Sequence, residues 1–143
     1  MRILLALDAS SGAIDEAVRL ARESGAGLTA LFVTEAGWET YIGSDWQSSA
    51  KAWDGFLDSI RAGEDQAAKE AADALRERLC GFPCDLKVVT GDVAQEIEKE
   101  LAQGYDLLVM AHPFTRGLSV VRKPVERLLK RATCSLYLVR DAT

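Results

Sequence analysis

Cysteine and histidine, on which metal sites and cross-links depend, are scarce in this sequence. The 143 residues include three cysteines and one histidine. An odd number of cysteines without a secretory signal argues against a disulfide framework. Cys80 and Cys84 also have too few ligand residues around them for a zinc site, since the one histidine is His112. We therefore predict no metal and interpret all three cysteines, including Cys134, as small hydrophobic residues.

Long hydrophobic runs are also missing. The longest clean apolar stretch covers residues 3–7, which is far too short to cross a bilayer. Asp8 interrupts that stretch too early for a signal peptide. We therefore predict a cytoplasmic protein that makes no membrane contact.

The common catalytic motifs do not occur either. The chain has no G-x-x-x-x-G-K-S/T loop, no G-x-G-x-x-G after its first predicted strand and no G-x-S-x-G. His112 has no identifiable acid or nucleophile as a partner, so we predict that it is a partly exposed loop residue. These absences predict a non-enzymatic protein, with slow ATP hydrolysis as the enzymatic alternative.

The overall charge disfavours nucleic acid as a partner. The formal net charge is −5, which repels a polyanion. One stretch between His112 and Arg131 differs, because it has a single acid, Glu126, and six basic residues: Arg116, Arg122, Lys123, Arg127, Lys130 and Arg131. Such a run is typical either of a solvated helix face or of a site for an anionic ligand or partner, and both interpretations stay open.

What the sequence does contain is an alternation of apolar strands and amphipathic helices. Continuous apolar character predicts buried strands over residues 2–7, 28–33, 85–90, 106–110 and 135–139. Helical spacing predicts helices over residues 13–24, about 51–79 with a bend near Gly63, 93–101 after an Asp92 cap, and around Val125 after Pro124. This alternation predicts one domain over residues 1–143. Its fold class is α/β, an open doubly wound five-stranded parallel sheet with helices on both faces.

In such a sheet, ligands bind beyond the carboxyl ends of the strands, where the strand order reverses. The first and fourth predicted strands flank that point. They end at Asp8 and Ala9 on one side and at Ala111 and His112 on the other. Asp8 could equally cap the next helix or accept a hydrogen bond from the loop.

Four blocks of the chain resemble the universal stress protein (UspA-like) family. They are ILLALDASSGAIDEAVRLA, LTALFVTE, GDVAQEIEKELAQGYDLLVMAH and VERLLKRATCSLYLVR, in the family's order and spacing. The resemblance implies a Rossmann-like fold of the adenine nucleotide alpha-hydrolase type. In nucleotide-binding members an aspartate after the first strand lies near the adenosine, and a valine backbone after the second strand contacts the base. Asp8 and Val33 match these two positions.

The family's phosphate loop, G-x-x-G-x9-G-S/T, does not match. Its glycines fall on Ala111, on Phe114 and on Arg122 followed by Lys123, while Gly117 matches a less diagnostic glycine. Glycines let backbone N–H groups turn toward phosphate oxygens at angles that other residues resist. The resemblance therefore predicts weak or no ATP binding. The alternative is ATP or another anion held by the side chains of Arg116, Arg122 and Lys123.

The resemblance also implies a homodimer, because family members often pair through the last strand. Here that strand supplies Leu136, Tyr137, Leu138 and Val139, an apolar edge that would be a liability if left bare. The leading hypothesis is a non-enzymatic stress-response module that binds a second copy of itself and an unknown protein partner. The alternative hypothesis is a nucleotide sensor with ATP near Asp8 and Val33.

Overall fold

A computed structural model describes residues 1–8, 10–34, 40–41, 66–79, 81–112, 115–116, 119–120, 123–131 and 133–140. In chain order the elements are β1 (Arg2–Ala6), α1 (Ser11–Ser24), β2 (Gly27–Thr34), β3 (Thr40–Tyr41), α2 (Gln66–Leu79), β4 (Asp85–Thr90), α3 (Val93–Leu101), β5 (Leu107–His112), β6 (Thr115–Arg116), β7 (Ser119–Val120), α4 (Lys123–Arg131) and β8 (Ser135–Arg140).

The five long strands form the predicted parallel sheet, in the order β4-β2-β1-β5-β8. The neighbours β1 and β5 come from distant parts of the chain, and Leu4 of β1 pairs with Leu108 of β5. The strand order therefore reverses between β1 and β5, as the sequence predicts. The short strand β3 adds an antiparallel edge to β4, where Thr40 pairs with Val88, and the sequence analysis missed it.

Helices cover both faces of the sheet, which confirms the doubly wound architecture. On one face Leu5 and Phe32 pack with Ala17 of α1 and Leu75 of α2. On the other face Leu4 packs with apolar residues of α3 and α4 such as Ile97 and Leu128. Successive strand residues point to opposite faces. Both Leu4 and Leu5 are therefore buried, which explains why the strand is apolar without interruption.

The helix boundaries follow local capping chemistry. The Ser10 hydroxyl accepts a hydrogen bond from the Ala13 N–H at 3.3 Å and starts α1, while Gly25 ends it at φ 68°, a left-handed conformation that glycine adopts without strain. The Asp92 carboxylate accepts from the Gln95 N–H at 3.0 Å and starts α3. Of the helix predicted over residues 51–79, α2 confirms the second half. The first half and the bend near Gly63 lie outside the described residues.

The two described cysteines fit the interpretation as hydrophobic residues. Cys84 is buried in the core beneath α1 and α2, and Cys134 packs against the opposite core. Burial raises the pKa of the Cys84 thiol to about 12 and also raises the pKa of Cys134. Both thiols are therefore protonated near neutral pH, and Cys80 lies outside the described residues. No helix in the described ranges is long and apolar enough to cross a membrane.

Candidate functional site

Three adjacent strands bring Asp8, Val33 and Ala111 to the carboxyl edge of the sheet. Asp8 follows β1, Val33 lies near the end of β2, and Ala111 lies near the end of β5, so β1 stands between the other two. All three are buried, at 2%, 4% and 4% exposure. This edge is the crevice where doubly wound sheets bind ligands. The sequence predicts that all three lie at this edge, and a ligand there stays a prediction.

Asp8 has a local role in the turn between β1 and α1. Its carboxylate accepts a hydrogen bond from the backbone N–H of Ser10 at 2.8 Å, and Ser10 in turn caps α1. The carboxylate therefore fixes the position at which the first helix begins. This is the loop hydrogen bond that the sequence analysis left open as an alternative to ligand binding, and its neighbour Ala9 lies outside the described residues.

His112 is exposed but does not lie in a loop, so that prediction is wrong. It is the last residue of β5 and pairs with Arg140 of β8. The strand runs two residues beyond the predicted end at 110 because β8 continues alongside it and offers main-chain partners.

The chain between β5 and α4 contains a two-stranded hairpin that the sequence analysis did not predict. In this hairpin Thr115 of β6 pairs with Val120 of β7, and Arg116 pairs with Ser119. Two residues, Gly117 and Leu118, separate the paired positions, and a glycine first in a two-residue connection is typical of hairpins. That signal was present in the sequence. Gly117 itself lies outside the described residues.

The basic run divides into residues with different surroundings. Arg127 donates from Nε and Nη2 to the two carboxylate oxygens of Glu98, at 3.0 and 3.2 Å, and so joins α4 to α3. Lys130 and Arg131 are exposed in the last turn of α4, where positive charge complements the helix dipole. At a rise of about 1.5 Å per residue, Lys130 lies roughly 10 Å along the axis from the first residue of α4.

The remaining basic candidates are nearer the amino end of α4. Lys123 is the first residue of that helix and Arg116 ends β6, while Arg122 lies outside the described residues. A crossover helix begins at the carboxyl edge of a parallel sheet, where its free N–H groups favour an anion. Lys123 is thus the one predicted anion-binding cation that the structure places on a helix start at this edge.

Strand β8 forms one edge of the sheet. It pairs with β5 from Ser135 to Arg140, and no other strand in the described ranges pairs with its outer side. Leu136, Leu138 and Val139 are half-buried, and Tyr137 is 37% exposed.

The Tyr137 ring is tethered to the first helix. Its hydroxyl donates to the Glu16 carboxylate of α1 at 3.0 Å. The hydrogen bond from Arg19 lowers the pKa of Glu16 further than burial raises it, and Tyr137 adds to the lowering. The acceptor at this edge therefore stays ionised at neutral pH.

The described residues contain no group of three or more histidines, cysteines and acids that could hold a metal ion. The carboxyl edge brings together the buried strand ends and the start of α4, and the hairpin precedes that helix in the chain.

The chain matches a protein family profile and resembles several solved structures. Residues 1–140 match the profile of the universal stress protein family. The solved structure of universal stress protein UspA from Lactobacillus plantarum is 24% identical, with a TM-score of 0.64 over 98% of this chain and 97% of that one. A family protein from Burkholderia pseudomallei is 23% identical, with a TM-score of 0.58 over 96% and 94%.

A universal stress protein solved in complex with cAMP is 16% identical, with a TM-score of 0.63 over 99% and 98% of the two chains. Among curated proteins, none matches this chain. The likeness to the solved structures shows a shared fold, and the family profile spans almost every residue. The chain belongs to the universal stress protein family.

Proposed function

We propose that this protein is a non-enzymatic regulatory module that works as a homodimer through β8 and binds ATP weakly or not at all. Residues 1–143 form its single domain, and the cytoplasm is its setting. The observation that carries the proposal is the edge strand β8, with Tyr137 exposed beside half-buried Leu136, Leu138 and Val139. An edge strand that no described strand covers offers main-chain donors and acceptors together with apolar side chains.

A second copy of β8 suits this edge. Pairing two edges satisfies their backbone groups and buries apolar side chains, and a two-fold arrangement lets each copy present the same residues. The Glu16 contact supports the idea, because it holds the Tyr137 ring in place before association. Less side-chain freedom is then lost on binding.

Sedimentation of two variants tests the dimer. In Tyr137→Lys the new ammonium group can pair with Glu16 inside one copy, so the fold is retained, but a charged group that association would desolvate replaces the ring at the pairing edge. We expect at least a tenfold weaker dimer, about 1.4 kcal/mol. Tyr137→Phe is the matched control, because it keeps the ring at the edge and loses only the hydrogen bond to Glu16, so its dimer should be weakened less than that of Tyr137→Lys. A wild-type protein that is monomeric at micromolar concentration contradicts the proposal, as does a Tyr137→Lys variant that assembles normally.

Weak ATP binding follows from the residues around the candidate site. Ala111, which replaces the first loop glycine, is buried in β5, so its backbone belongs to the sheet. A cradle of backbone N–H groups needs freer geometry than a paired strand offers. We expect no saturable heat when ATP and magnesium are titrated into the protein in a calorimeter.

The second candidate function is a nucleotide sensor with at most slow ATP hydrolysis. It is favoured by the buried Asp8 carboxylate at the point where the strand order reverses, and one relative of this fold was solved with cAMP. Saturable ATP binding that Arg122→Glu abolishes, and that Arg131→Glu leaves intact, would establish the sensor instead. Phosphate release above that of Lys123→Ala would add hydrolysis.

A further inference from the structure

A polar pocket lies at the amino edge of the sheet, the edge opposite the candidate anion site. It has a volume of about 300 Å³ and is lined by Arg2, Thr29, Asp85, Lys87, Glu100 and Tyr105. Its strand residues come from the first half of β1, β2 and β4, while Glu100 lies in the last turn of α3. Small-molecule sites begin at roughly 300 Å³. The pocket is therefore large enough for a metabolite of a few heavy atoms.

The sheet face beneath α3 is apolar towards the carboxyl edge and polar towards the amino edge. Towards the carboxyl edge it presents Leu31 and Val33 to the core. Towards the amino edge the same face presents Thr29, Asp85 and Lys87, because residues two apart in a strand share a face. Apolar residues in a buried position usually stabilise a fold at least as well as an ion pair does. A polar end to an otherwise apolar face therefore calls for a reason beyond packing.

A chain of hydrogen bonds runs through the buried part of this pocket. Lys87 Nζ donates to both oxygens of Glu100, at 2.9 and 3.0 Å, and the Tyr105 hydroxyl donates to Glu100 Oε2 at 2.7 Å. Thr29 lines the same pocket, and its side chain partly offsets the effect of burial on the pKa of Tyr105. Burial raises the pKa of Tyr105 to about 12, so its proton stays available to Glu100. This chain gives the pocket a rigid wall.

Arg2 and Asp85, which also line the pocket, can make contacts in addition to that hydrogen-bond chain. Arg2 is held with its guanidinium carbon 4.3 Å from the centre of the Tyr105 ring, and its Nη1 donates to the Gln103 carbonyl at 3.1 Å. A guanidinium has five N–H donors, and this contact uses one of them. The half-buried Asp85 carboxylate lines the pocket but takes no part in the hydrogen-bond chain of the described residues.

The charges of the residues that line the pocket indicate what charge the ligand carries. Arg2 and Lys87 balance Asp85 and Glu100, so the pocket is neutral overall. A lone anion or a lone cation would add an uncompensated charge to a partly buried site, which is costly. We propose that this pocket binds a small zwitterion of amino-acid size, with its ammonium group on Asp85 and its carboxylate on Arg2. The site is independent of β8 and of the carboxyl-edge site.

Calorimetric titration with glycine, β-alanine and γ-aminobutyrate tests the proposal, because the charges of these probes stand progressively further apart. Acetate and methylammonium are the half-ligand controls. We expect saturable binding of at least one zwitterion at millimolar concentration, with shifts in the amide resonances of Thr29, Asp85 and Tyr105. Neither acetate nor methylammonium should bind as tightly as that zwitterion. Binding of no zwitterion overturns the proposal, and so does acetate or methylammonium binding as tightly as the zwitterions.

Variants separate recognition from folding. Asp85→Asn keeps the shape of the side chain and removes its charge, so we expect binding weaker by about tenfold to a hundredfold, the effect of one hydrogen bond to a charged group. Arg2→Gln should weaken it similarly. The matched controls are Asp73→Asn on α2 and Arg22→Gln, whose guanidinium lies over Phe82 outside the pocket. Equal affinity in Asp85→Asn and Asp73→Asn would overturn the proposal, provided that circular dichroism shows both variants folded.

Discussion

The interaction of Lys87 with Glu100 allows a quantitative prediction for the Lys87→Met variant. Glu100 is 6% exposed and its carboxylate receives Lys87 Nζ at both oxygens. Removing the partner of a buried charge costs about 3–5 kcal/mol. Because the Lys87 side chain keeps 26% exposure and water reaches it, we expect the lower end, about 3 kcal/mol. Methionine keeps the length of the apolar stem, so the loss in free energy of unfolding measures the effect of removing the Lys87 charge.

A second substitution recovers most of that loss. In Lys87→Met with Glu100→Gln, the buried group is neutral and its carbonyl oxygen still accepts from the Tyr105 hydroxyl. We expect the double variant to lie within about 1 kcal/mol of the wild type, since exchanging a buried ion pair for neutral residues is often close to neutral.

Urea unfolding followed by circular dichroism measures both effects, and the m-value shows whether unfolding remains two-state. At roughly 3 °C per kcal/mol for a chain of this size, the single variant should melt about 9 °C below the wild type. A loss under about 1 kcal/mol in Lys87→Met, or no recovery in the double variant, would refute the assignment of a buried charge that depends on its partner.

Further variants test other parts of the structure. Leu5→Ala, fully buried between the strands and α1, should lose about 3 kcal/mol in urea unfolding, and a loss below 1 kcal/mol would mean that the site is not a packed core. Arg127→Gln removes a half-exposed pair with Glu98 and should cost less than about 1 kcal/mol without changing any ATP titration; altered ATP binding would add Arg127 to the candidate site. Burial raises the pKa of Cys84 from 9.0 to about 12, so the unfolded chain loses this proton first and stability falls as the pH rises from about 9 towards 12. Cys84→Ala should flatten that decline in pH-dependent melting, and an unchanged profile would contradict the buried thiol.

The sheet could be predicted from the sequence because its signals are local. Leu4 and Leu5 lie on opposite faces and are both buried, so β1 is apolar throughout and typical of a parallel strand. Asp92 and Gln95 stand three apart and mark the start of α3. Asp8 could be placed at the carboxyl edge because it follows a buried strand, and parallel strands end at that edge.

The polar contacts could not be predicted, because they join residues distant in the sequence. Lys87 and Glu100 are 13 residues apart, and Glu98 and Arg127 are 29 apart. Each residue alone is an ordinary charge in an amphipathic segment, and only the packing of α3 against its neighbours brings the partners together. The division of the basic run into a helix contact and a site candidate follows from that packing.

Sedimentation velocity of the wild-type protein, run at micromolar concentration with and without ATP and magnesium, shows whether two copies pair without nucleotide. We expect a dimer in both samples with the same sedimentation coefficient, because β8 pairing needs no nucleotide. A monomer that becomes a dimer only when ATP is added would contradict it and would identify the protein as a nucleotide sensor.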